Sequence, residues 1–80
     1  MNIKERIQKL LDKNKELRSQ IEDNTVQART LLTKEDTVKD DLDKAKKLRS
    51  KSKELEGEIR SNEETIAMLK ELAGGSRSNG

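Results

Sequence analysis

The residues that could do chemistry in this chain are two adjacent pairs of carboxylates, Asp40-Asp41 and Glu63-Glu64, and six clustered bases, Lys44, Lys46, Lys47, Arg49, Lys51 and Lys53. Paired acids serve general acid–base catalysis when an apolar setting drives their pKa values apart. Here the surrounding sequence is densely charged, and Phe, Tyr and Trp are absent, so both pairs read as solvated helix surface. His and Cys are absent as well, which removes the usual proton shuttles, metal ligands and thiolate chemistry. No phosphate-cradling glycine loop, nucleophile elbow or metal-ligand spacing occurs. The sequence therefore points away from an enzyme, and it asks for no cofactor and no metal.

The six bases could neutralise phosphates and give salt-dependent binding to nucleic acid. At helical spacing, however, they wrap around much of the helix, acidic segments flank them, and no aromatic is available to stack on bases. With a formal net charge of +2, nucleic acid is not the expected partner. A solvated face that also pairs with Glu22 and Asp23 within the chain is the better reading.

The elements that position these residues follow from the apolar spacing. In 80 residues, 29% hydrophobic and 42% charged, there is material for one domain and for helix seams, not for a large core. No apolar run approaches the roughly 20 residues needed to span a bilayer. Lys4, Glu5, Arg6 and Lys9 interrupt any signal-peptide core, so a cytoplasmic protein with no membrane partner is expected. Ile3, Ile7, Leu10, Asn14, Leu17, Ile21, Asn24, Ala28 and Leu31 recur at alternating intervals of four and three, the a and d positions of a heptad. They predict a helix over about 2–32, roughly 45 Å long. A second set, Val38, Asp41, Ala45, Leu48, Ser52, Leu55, Ile59, Asn62, Ile66, Leu69 and Ala73, predicts a helix over about 34–73.

Between them Thr33 and Asp36 have the spacing of a capping box, which places a turn at about 32–34 and makes the fold an all-α antiparallel helical hairpin, a coiled coil closed on itself. A continuous rod is the alternative, because heptad spacing also runs through from Leu31 to Val38. Charge favours the hairpin. Reversal near Thr33 sets residue 18 opposite about residue 48 and residue 4 opposite about residue 62, so that the basic stretch 4–18 faces the acidic stretch 54–64 and Glu22 and Asp23 face Lys44, Lys46 and Lys47.

Finer expectations follow. Asn14 and Asn24 on the seam read as devices that fix register or partner number, or as a wet, loosely packed seam. Asp23, Asn24, Thr25 and Val26 are weak helix formers, so a kink or break near residue 24 is open. Gly57 falls on the outer face. Gly74 would cap the second helix, leaving 74–80 as a flexible, disordered Gly/Ser-rich linker, either the start of a connection in a longer protein or an expression tail. The unequal helix lengths leave residues 65–73 without an intramolecular partner. This makes Ile66, Leu69 and Leu72 the expected self-association patch.

With Leu32-Thr33-Lys34-Glu35-Asp36 in view, the chain resembles the N-terminal delta (scaffolding) domain of Hong Kong 97-like tailed-phage major capsid proteins. A basic helix opens near the start Met, a Leu-Thr-x-Glu-Asp turn follows, and a long Glu/Lys-rich helix with regular Leu and Ile runs on to a linker. Asp36 stands where that family usually has Glu, and Val38 where it often has an aromatic. The resemblance implies a scaffold that guides procapsid assembly in a bacterial host, with itself or other copies of the parent capsid-type chain as partner. A coiled-coil adaptor, natural or designed, that binds another protein's helix is the alternative function.

Overall fold

The computed structural model describes the backbone of residues 2–78 and the side chains of residues 2–74. Two helices account for nearly all of it, α1 (Ile3–Leu32) and α2 (Lys39–Ser78). They pack against each other as an antiparallel hairpin with principal extents of 63 × 20 × 15 Å. A 40-residue helix at 1.5 Å per residue is about 60 Å long, so the molecule is one helix long and two helices wide. The rod is excluded.

Local chemistry sets each helix end. Asn2 caps α1, its Oδ1 accepting from the Glu5 N–H at 2.8 Å, and Glu5 adds negative charge where the helix dipole favours it. α1 then runs unbroken through Asn24. The Thr25 hydroxyl bonds back to the Ile21 carbonyl (2.8 Å) and that of Thr30 to Val26 (3.0 Å). Their polarity is thus satisfied inside the helix and does not open an alternative turn.

The connection differs from the sequence expectation. Thr33 does not cap the second helix. It closes the first, its N–H and its hydroxyl both donating to the Arg29 carbonyl, at 3.0 and 2.8 Å. Asp36 sits in the turn, exposed, and caps nothing. Thr37 Oγ1 lies 3.0 Å from the Leu31 carbonyl and 2.8 Å from that of Lys34, supplying a donor where helix-end carbonyls would otherwise be orphaned. The acid that reaches back is Asp41, whose Oδ2 accepts from the Val38 N–H at 3.2 Å. Val38 is accordingly a main-chain cap and not the first seam residue; it is 57% exposed. No residue of the turn takes a positive φ, which is why no glycine is needed there.

At the other end α2 stays helical past the expected Gly74 cap to Ser78. Among the described residues no glycine takes the left-handed conformation that such a cap requires. The end of the expected linker, residues 79–80, lies outside the described residues.

The seam follows the heptads except at Val38 and Ala73, the two ends of the second set, which are exposed. The apolar core is Leu17, Leu55 and Ile59, with Ile21 packed against it, and Ala28, Ala45 and Ile66 are buried along the same line. Register is the larger correction. Arg18 pairs with Glu63, not with residues near 48, and Asn14 meets Asn62 where a reversal at Thr33 would bring residue 52. The offset is about ten residues, or 15 Å. Moving the reversal to the middle of a connection spanning 33–38 accounts for about half of it, and an axial stagger of the helices supplies the rest. Residues 65–73 consequently have a partner. Ile66 is buried, and Ile3 and Ile7 share a cleft with Lys70, Ala73 and Gly74. The overhang does not exist.

Candidate interaction surface

Two features of the hairpin carry chemical specificity. The first is a polar layer inside the seam. Asn14, 1% exposed, accepts at Oδ1 from Asn62 Nδ2 at 2.8 Å and donates from Nδ2 to the Ile59 carbonyl at 3.4 Å. A buried amide left without partners costs about 1–3 kcal/mol, so any slip of the helices that breaks this pair is penalised. Asn14 is thus satisfied in this register of the two helices. Asn24 does not do the same. It is half-buried beside Thr25, Ser52 and Lys53, and it takes part in no side-chain hydrogen bond found among the described residues. Sequence alone could not separate the two, because only the register shows which Asn meets a second amide. The Arg18–Glu63 bridge (3.0 Å) crosses the helices nearby, but both partners are more than half exposed, and such pairs contribute about 0–1 kcal/mol.

The second feature lies nearer the turn, where the seam is filled by Ala28 and Ala45. Small residues there fail to fill the space between the helices. An open groove of about 540 Å³ results, lined by Val26, Gln27, Thr30, Leu31, Lys44, Lys47 and Leu48. Val26 is 52% exposed, and the two lysines are the charged residues of the lining. No acid takes part.

The turn itself is locked by charge. Asp41 is buried and accepts from the Val38 N–H and from Lys34 Nζ, both at 3.2 Å. The Val38 N–H first, then the Lys34 ammonium, hold the Asp41 carboxyl below its ordinary pKa, with Lys44 adding to the effect and desolvation opposing it. Heptad spacing alone makes Asp41 one more seam position. Its distance of three residues from Val38 was the signal for a cap, obscured by the matching distance from Thr33 to Asp36.

The remaining predicted residues distribute as follows. The basic cluster is exposed throughout but split in two: Lys44 and Lys47 line the groove just described, whereas Arg49 and Lys53 line a cleft with Ile21, Asn24 and Ala28. Glu22 and Asp23 are separated by the register from Lys44, Lys46 and Lys47, the partners expected for them. Ile66, Leu69 and Leu72 do not form one patch, since Ile66 is enclosed, Leu69 half-buried and Leu72 75% exposed. Of the acid pairs, Asp41 is engaged in capping and Glu63 in the bridge to Arg18. No helix among the described residues is long and apolar enough to cross a membrane. Compared with protein-family models, curated proteins and solved structures, the chain matches none.

Proposed function

We propose that this hairpin is a non-enzymatic assembly module that works by self-association. The observation that supports this most is its thinness. A two-helix layer has no third element to cover its flanks, and Leu11, Val26, Leu32, Val38, Leu42, Met68 and Leu72 remain exposed along it. Helices with apolar stripes are stabilised by burying them against further helices, and a second hairpin supplies two at once. The resemblance to phage capsid delta domains gives this reading its specific form: a scaffold in the bacterial cytoplasm that holds copies of a parent chain together during procapsid assembly. The open groove at Val26, Leu31 and Leu48 favours the second reading, an adaptor that receives another protein's helix.

Sedimentation equilibrium over a wide concentration range tests the first reading. A reversible oligomer is expected, with a thermal midpoint that rises with concentration. A monomer at every concentration, with a constant midpoint, contradicts it.

A further inference from the structure

Along α2, Lys44, Lys47, Lys51, Glu54 and Glu58 follow one another at intervals of three, four, three and four residues. They therefore share one stripe of the helix, and all five are exposed. Lys44 and Lys47 line the groove, so the stripe runs along that side of the hairpin. Its charges are segregated, three bases followed by two acids. Lys47 and Lys51, and likewise Glu54 and Glu58, are like charges four residues apart, an arrangement that weakens a solitary helix. The side that carries Glu56, Arg60 and Glu63 alternates signs instead, and Glu63 there pairs with Arg18. None of the five stripe residues joins either ion pair of the described residues, Arg18–Glu63 or Lys34–Asp41; the Lys44 charge acts on Asp41 at the turn end.

Segregation that is unfavourable within one helix becomes complementary when the helix meets itself reversed. Lys44 and Glu58 lie seven residues either side of Lys51, and Lys47 and Glu54 four and three. We propose that the stripe is the contact between two copies of this chain, α2 against α2 in antiparallel orientation about a two-fold axis near Lys51. Lys44 of each copy then faces the other's Glu58, and Lys47 the other's Glu54. The contact is isologous, so each pairing occurs twice. The methylene stems of Lys44 and Lys47, which line the groove with Val26, Leu31 and Leu48, then help to shield it from water. Lys51 meets its own copy at the axis, the one like-charge contact. This inference rests on the self-association reading and names its surface.

The test uses the whole 80-residue chain in low-salt sedimentation equilibrium, with circular dichroism to confirm helix content. Lys44→Glu/Lys47→Glu makes the stripe mainly acidic, and Glu54→Lys/Glu58→Lys makes it wholly basic. Each variant alone should dimerise at least tenfold more weakly than the unaltered chain, and an equimolar mixture should recover or exceed the original affinity. Lys51→Gln should tighten the dimer, an arm that stays informative should either double variant lose helix. A monomeric unaltered chain overturns the self-association reading and this inference together. Undiminished association of both double variants, failure of their mixture to recover it, or a weaker Lys51→Gln dimer overturns the inference alone.

Discussion

The middle of the hairpin and its turn-proximal third use the same heptad spacing to opposite ends. In the middle, Leu17, Leu55 and Ile59 fill the seam, and the Asn14–Asn62 layer lies beside them. Toward the turn the seam holds Ala28 and Ala45, and the neighbouring Leu31 and Leu48 are left half-covered at the edge of a groove. Apolar spacing alone does not decide whether a seam is closed. Side-chain volume at the buried positions does, because packing below native density leaves space that something else must occupy. The middle holds the chain together, and the turn-proximal part leaves its groove open.

The comparison breaks most readily in the middle. Leu55→Ala should cost about 2–5 kcal/mol in chemical denaturation, as expected for a truncated core leucine, whereas Leu48→Ala at the groove should cost roughly 1 kcal/mol, in proportion to its partial burial. Equal costs would mean that the two regions are packed alike. Next in size, Asn14→Ala should lose about 1–3 kcal/mol, since Asn62 and the Ile59 carbonyl forfeit their partner. Replacing Asn14 and Asn62 together by Leu should raise the melting temperature while broadening the distribution of helix registers seen in cross-linking. A double variant that stays in one register would remove the role assigned to the amide pair.

The seam positions were legible because a and d spacing is a property of each helix alone. All nine positions assigned on α1 are buried or half-buried, and the polar ones include Asn14, which pairs with Asn62. The register itself was not legible. It depends on where the chain reverses, and Thr33–Asp36 and Val38–Asp41 offered acids at the same three-residue distance. Thr33 carries a hydroxyl that serves a helix end as well as a helix start, and nothing in its sequence neighbourhood says which. Misplacing the reversal moved every facing pair, and with it both the expected charge partners and the unpaired apolar end. Of the expected caps, Thr33 ends the first helix where it was expected to start the second, Asp41 takes the place expected for Asp36, and Gly74 caps nothing.

Smaller effects test the turn and the outer face. Because the folded state holds Asp41 below its ordinary pKa, folding is favoured by its ionisation. That contribution is complete above the unfolded value near 4 and is lost as the pH falls through the lower folded value. Stability measured from pH 6 downward should therefore fall more steeply in the unaltered chain than in Asp41→Asn, and parallel curves would show that the carboxylate does not lock the turn. Gly57, by contrast, lies exposed on the outer face, with nothing within 4 Å of where a Cβ would stand. Gly57→Ala should stabilise the chain by about 0.5–1 kcal/mol. A loss would mean that this face is covered in solution.

The hairpin requires the Asn14–Asn62 layer to form within one chain and not between two extended ones, which could make the same contacts by exchange. Spin labels at Lys15 and Arg60, both exposed and placed on opposite helices at nearly the same level, separate the cases when labelled chains are diluted in an excess of unlabelled ones. A hairpin gives an intrachain distance below roughly 25 Å, and a continuous helix gives about 68 Å at 1.5 Å per residue. The short distance is the expected result, and a distribution centred on the long one would contradict the fold and every contact derived from it.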